Sequence, residues 1–206
     1  MRPIDIRKYK QDIRAAARKK RSDMPQEMRR DMDNRIAANV RKLYQYKAAK
    51  AILIYVSTAI EIDTKQIILN AWYDGKKVAV PRCIPGTRDM EFHYINSFDD
   101  LSPGTFSVLE PSENAPIVED FDGCLMVLPA ITVDADGYRL GYGKGYYDRY
   151  MSRFKGFSVV LCYTSELIGI LHRGRYDAPA CAIITEKRIK SCKKRSVNNG
   201  RIRKDN

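Results

Sequence analysis

What most constrains the fold of this chain is a rhythm of short, dense apolar runs set between stretches of helical spacing. Residues 51–56, 124–128, 157–163 and 181–185 are each mostly apolar. Runs this short suit strands better than helices, and near-continuous apolarity is what a strand covered on both faces requires. Residues 77–81 read as a further strand, and residues 90–94 alternate as an edge or hairpin strand does. Helices are predicted at 64–72 and from 146 to 154, and the stretch 96–122 reads as loop-rich, with Pro103, Gly104, Pro111 and Pro116. This order predicts an α/β domain: a mainly parallel sheet flanked by helices on both faces.

Two helices precede the first strand. Residues 4–21 form one dense in Lys and Arg, with Ile6, Ile13, Ala16 and Ala17 as a thin apolar side. Asp23 reads as the N-cap of the second, with Pro25 in its first turn and Gln26 three residues on, as in a capping box. Met28, Met32, Ile36, Val40 and Leu43 then recur at helical spacing and should bury one stripe, as core rather than as ligands. Past Thr185 the chain turns to Lys, Arg, Asn and Ser, which predicts one domain over 1–189 and a basic, disordered tail over 190–206.

Composition closes off several functions. The net charge of +12 suggests a polyanion-binding surface until it is located. Residues 1–50 hold 16 basic against 6 acidic side chains and residues 187–206 hold 9 against 1, whereas 51–186 hold 12 against 18. The basicity therefore belongs to the ends. Without an RNP-type aromatic motif or other nucleic-acid module, an RNA-binding role resting on those ends is disfavoured. No apolar run approaches the roughly 20 residues of a membrane span, and the N-terminus lacks the apolar segment of a signal peptide, so a cytoplasmic protein is expected. Cys83, Cys124, Cys162, Cys181 and Cys192 are odd in number and widely spaced, which indicates reduced structural thiols rather than a zinc site or disulfide framework. Neither His93 nor His172 pairs with a nucleophile, so hydrolase chemistry has no visible machinery.

The most informative segment is Arg139-Leu140-Gly141-Tyr142-Gly143-Lys144-Gly145-Tyr146-Tyr147-Asp148, which follows a buried strand and opens a helix. Alternating glycines let backbone N–H groups approach an anion, and a helix N-terminus adds partial positive charge. Arg139 and Lys144 bring full charges to the same place. The pattern is neither a Walker A loop nor G-x-G-x-x-G. On its physics alone it reads as a phosphate site with a metal at Asp148, against the plainer reading of a glycine-rich turn with packed tyrosines. Lys10 and Arg14 lie one helical turn apart and could face the same polyanion, or simply form a solvated basic helix.

The run 139–148 resembles the signature of the 5-formyltetrahydrofolate cyclo-ligase family, also called methenyltetrahydrofolate synthetases. Lys10 and Arg14 resemble its K-x-x-x-R, and residues 55–64 resemble the segment carrying its substrate glutamate, here Glu61. Val80-Pro81, Met90-x-Phe92 and Glu110-Pro111 fall in the expected order, and Asp177, ahead of Thr185-Glu186, resembles a second metal-linked aspartate. Two departures are Val133-Asp134 for the family's more usual Phe-Asp, and Tyr176 where a histidine is common.

The resemblance implies a Rossmann-like three-layer fold and conversion of 5-formyltetrahydrofolate to 5,10-methenyltetrahydrofolate with hydrolysis of ATP. It implies ATP binding by Lys10, Arg14 and residues 139–147, and Mg²⁺ held by Asp148 and Asp177. Val56, Glu61, Tyr142 and Tyr146 would contact the folate, and Lys144, Tyr146 and Arg139 would serve catalysis; for Tyr147 a packing role is the alternative. A monomer or weak homodimer is expected. The competing reading is a re-purposed relative that binds nucleotide or folate without turnover, against which the intact residue set argues.

Overall fold

The structure, a computed structural model, describes residues 5–105, 108–174 and 177–192. Three helices lead in: α1 (Ile6–Ser22), α2 (Gln26–Lys42) and α3 (Tyr44–Ala48). Strand β1 (Ala51–Ile54) is followed by α4 (Lys65–Tyr73), β2 (Lys77–Cys83) and β3 (Met90–Ile95). A small hairpin, β4 (Leu101–Pro103) with β5 (Leu109–Pro111), precedes β6 (Cys124–Leu128). Strands β7 (Thr132–Asp134) and β8 (Arg139–Leu140) lead to α5 (Tyr146–Arg153) and β9 (Phe157–Leu161). The chain continues through β10 (Leu167–Ile168), β11 (Ala182–Ile184) and β12 (Ile189–Ser191).

The main sheet has the order β12-β11-β9-β6-β1-β2-β3. Its five inner strands are parallel, and each edge carries one antiparallel strand, β12 and β3. The expected mainly parallel α/β sheet is present. From β1 the chain winds outward through α4 to β2, then returns to place β6 on the other side of β1. This reversal is the switch point, and ligands in open α/β sheets bind beyond the carboxyl ends of the strands there.

Alternation along the strands divides the core into two layers. Ile52, Ile54, Val78, Val80, Leu125 and Val127 pack beneath α2 and α4 with Ile36, Val40 and Ile68. Ala51, Leu53, Met126, Leu128 and Val160 face the other way, against Tyr150 and Phe154. Burying each such side chain contributes roughly 1.5–3 kcal/mol, so the parallel strands need no loop to hold them.

The N-terminal helices depart from expectation in detail. Asp23 does not cap α2: it closes α1, where its N–H reaches the Lys19 carbonyl at 2.9 Å and its carboxylate pairs with Lys19. Pro25 precedes α2 instead, with no side-chain cap. In the α2 stripe Ile36, Val40 and Leu43 are buried, but Met28 at the exposed first turn remains 54% accessible. On α1, Ile6 and Ala16 are exposed, Ile13 and Ala17 are half-buried, and the one fully buried side chain is Arg21. At the other end the sheet runs past the boundary drawn at 190, because β12 pairs with β11 from Ala182↔Ser191 to Ile184↔Ile189. Residues 193–206, the rest of the expected tail, lie outside the described residues. All five cysteines are free thiols, Cys124 and Cys162 buried and the others half-buried.

Candidate active site

A cavity of about 590 Å³ opens at the switch point, between α1, the segments leaving β1 and β6, and the glycine-rich loop. Tyr55 and Val56 follow β1, Pro129 follows β6, and all three line it. The β7–β8 hairpin sets the loop's entry. Its turn passes through Gly137 at φ 91°, and the Asp134 carboxylate accepts the backbone N–H groups of Asp136 and Tyr138 at 3.0 Å each. Asp134 also holds Arg173 at 3.0 Å, and Asp177 accepts the Gly174 N–H at 2.7 Å.

Within the loop, Gly143 (φ 96°) and Gly145 (φ 78°) adopt left-handed backbone that larger residues disfavour. A Cβ at Gly143 would also stand 3.3 Å from the Arg14 guanidinium. Gly145 enters α5 without any side-chain cap, so the first N–H groups of that helix stay available to an anion at the cavity.

One wall is cationic. Lys10, Arg14 and Arg18 reach the cavity from α1, and Arg139 and Lys144 from the loop region. Arg14 Nε donates to the Gly141 carbonyl at 2.8 Å, tying α1 to the loop. Burial, then the neighbouring Arg18 charge, lowers the Arg14 pKa. Burial also lowers that of Arg139, outweighing Asp148, to which Nη2 donates at 2.8 Å. These guanidinium charges are underpaid by their surroundings, which is the condition a bound polyanion relieves.

Asp148 and Asp177 stand at the same wall. Burial raises the Asp148 pKa, and the Asp177 charge adds to the rise against the opposing Arg139. Lys10 Nζ donates to Asp177 at 3.1 Å. Among the described residues no group of three or more His, Cys, Asp or Glu side chains gathers to hold a metal ion. Two carboxylates lining a cavity rich in cations nonetheless fit Mg²⁺, which usually takes one or two carboxylates and fills its remaining positions with phosphate and water.

Another part of the lining is aromatic around one carboxylate, with Tyr142 and Tyr147 supplied by the loop that carries Arg139 and Lys144. Glu61 Oε2 accepts from Thr58 N and Thr58 Oγ1, both at 2.9 Å. The pKa values of Tyr55, Tyr142 and Tyr147 are all raised, first by burial and next by the charge of Glu61. The Tyr147 hydroxyl is buried without a hydrogen-bond partner among the described residues, and the Tyr142 hydroxyl is buried beside Glu61. Tyr146 lies further along, beside Cys83, whose thiol burial and Glu110 push up to about 11 and so keep protonated.

Every site residue expected from the sequence, from Lys10 to Asp177, lines this single cavity. Sequence reasoning missed Arg18 and the lining role of Cys83 and Glu110. Arg18 was legible as the next i+4 step after Lys10 and Arg14; Glu110 was marked only by the place of Glu110-Pro111 in the family's order, and for Cys83, brought in by β2, no local signal exists. His93 is buried, with Nδ1 2.8 Å from the Ala115 carbonyl, and His172 packs edge-on against Tyr9; neither lines the cavity. Tyr176 lies outside the described residues.

Fold and cavity together define a class: a doubly wound α/β protein whose switch-point cavity combines a cluster of cations with tyrosines around one carboxylate. The sequence profile of the 5-formyltetrahydrofolate cyclo-ligase family matches residues 6–185, and the chain belongs to that family. The 5-formyltetrahydrofolate cyclo-ligase of Haemophilus influenzae is 28% identical over 185 residues, covering 85% of this chain and 96% of the relative. A probable 5-formyltetrahydrofolate cyclo-ligase of Schizosaccharomyces pombe is 31% identical over 128 residues, 60% of this chain and 62% of the relative. The solved 5,10-methenyltetrahydrofolate synthetase of Aquifex aeolicus superposes with a TM-score of 0.79 at 27% identity, covering 94% of this chain and 98% of that one.

Proposed function

We infer that the chain is a ligase that converts 5-formyltetrahydrofolate to 5,10-methenyltetrahydrofolate at the expense of ATP. One observation carries the reading: the cations suited to a triphosphate and the Glu61–tyrosine wall suited to a pterin share one cavity. The chemistry needs both at once. A formamide carbonyl is a weak electrophile and its oxygen a poor leaving group. Attack of that oxygen on the γ-phosphorus releases ADP and turns the oxygen into part of a phosphate ester on an iminium-like carbon. N10 then attacks this carbon and gives up its proton, the C–O bond breaks, and phosphate departs carrying that proton, leaving the closed methenyl ring.

Phosphoryl transfer is chiefly positioning and charge neutralisation. Lys10, Arg14 and Arg139 hold the triphosphate, Lys144 follows the charge on the moving phosphoryl group, and residues 140–147 supply backbone N–H groups and packing surface. Glu61 accepts hydrogen bonds from the aminopyrimidine edge, while Val56 and Tyr142 flank the rings. Tyr146 orients the formyl group. Asp148 and Asp177 would hold Mg²⁺, which when bound neutralises phosphate charge. Water is kept from the reactive ester by the apolar and aromatic lining. No helix among the described residues is long and apolar enough to cross a membrane. A cytoplasmic site of action and a monomer or weak homodimer belong to the proposal as well.

The test is the near-ultraviolet absorbance of the methenyl product on purified protein. Growth of that band only when ATP and a divalent ion are present is expected. Formation without nucleotide would sink phosphoryl transfer, and undiminished turnover in EDTA would remove the metal.

A further inference from the structure

Helix α1 carries three of the cavity's cations yet buries almost no apolar surface, so polar side chains must hold it. Lys20 Nζ reaches the Ser165 carbonyl at 2.7 Å and Arg14 reaches Gly141, but the anchor is Arg21, whose side chain is 2% exposed. Its Nε and Nη2 meet the two oxygens of Glu166, each at 2.7 Å. Nη2 also donates to the Ala130 carbonyl at 2.8 Å, and Nη1 to the Ile60 carbonyl at 3.1 Å. Ile60 immediately precedes Glu61. Arg29 of α2 grips the same turn from the other side, donating to the carbonyls of Ala59 and Glu61. The helix that faces the phosphates is thus bonded, through one rigid planar group, to the turn that presents Glu61.

We propose that Arg21 is a positioning residue that couples the two half-sites, so that nucleotide and folate each raise the affinity for the other. Arg14 lines the cavity and donates to the Gly141 carbonyl at 2.8 Å, so a triphosphate held by Arg14 bears on α1 and the loop together. Arg21 carries the setting of α1 to Ile60 and so to Glu61. The reverse follows by linkage: a folate that fixes Glu61 settles α1.

This rests on the functional reading above, and the experiment separates the two. 5-Formyltetrahydrofolate is titrated calorimetrically into the full chain with and without a non-hydrolysable β,γ-imido ATP analogue and Mg²⁺, and the analogue is then titrated with and without the folate. The wild-type protein is expected to show the same gain in both directions, roughly 5- to 150-fold. The Arg21→Met/Glu166→Leu pair, which leaves no unpaired buried charge, should bind each ligand alone and bring the gain towards one. Arg29→Met should weaken folate binding equally with and without the analogue and keep the gain. Should the double variant fail to fold, Arg21→Lys decides, since it keeps a charge but loses the fork to Ile60 and Ala130. Independent binding in the wild type, or an unchanged gain in the deciding variant, overturns the coupling alone. Absence of binding by both ligands overturns the functional reading, and the coupling with it.

Discussion

In the middle of the sheet, Ile52, Leu53, Val127 and Val160 are fully buried among apolar neighbours. At the cavity wall Arg139 is buried and Arg14 and Asp148 are half-buried, and burial shifts each pKa against the charged form. The first region is complete as folded. The second holds charges that burial disfavours even though Arg139 and Asp148 pair at 2.8 Å, so the apolar sheet stabilises what the cavity wall does not.

Exchanging the two regions' readouts would break that division. The largest effect is expected from Leu53→Ala, which should cost about 2–5 kcal/mol of stability in urea denaturation while the folded fraction keeps its substrate affinities. A matching loss of ATP or folate affinity would show that sheet and site are not separable. Lys144→Ala should do the reverse. This exposed residue should barely move the urea midpoint, but turnover should fall roughly 10²- to 10³-fold, as when one donor to developing charge is removed. Near-normal single-turnover rates would exclude Lys144 from the phosphoryl-transfer step.

Within the cavity, Glu61→Gln sharpens the contrast between walls. Losing a charge-assisted hydrogen bond costs about 1.5–3 kcal/mol, or roughly ten- to a hundred-fold in folate affinity, with ATP affinity unchanged. Calorimetry that found ATP binding weakened instead would reverse the assignment of the walls. The smallest effect is electrostatic. Because the folded Asp148 pKa lies above its unfolded value, the folded state holds that proton more tightly. Its contribution to stability is complete below the unfolded pKa and is lost as pH rises through the folded one. Stability of the ligand-free wild-type protein should therefore fall relative to Asp148→Asn as pH climbs out of the carboxylate range. A relative gain over that window would contradict the assigned shift.

What the sequence disclosed follows the same division. Strand β6 matches its apolar run residue for residue, because burial on both faces writes itself into composition. The glycine loop was legible because anion access demands unusual residues close together. The capping of α2 and the anchoring of α1 were not, since Arg21 reads as one more cation in a basic run until Glu166, 145 residues away, supplies its partner. Cys83 was silent for the same reason and Glu110 was marked only through the resemblance, because long-range pairing of β2 and the β4–β5 hairpin brings them to the cavity.

The central claim is that the cationic wall exists to move a phosphoryl group onto the formyl oxygen. It is tested most directly by following that oxygen. 5-Formyltetrahydrofolate labelled with ¹⁸O in the formyl group would be turned over with ATP, and the released phosphate analysed by mass spectrometry. Phosphoryl transfer predicts one labelled oxygen in each phosphate, in step with methenyl formation. Label appearing in water, with unlabelled phosphate, would contradict it.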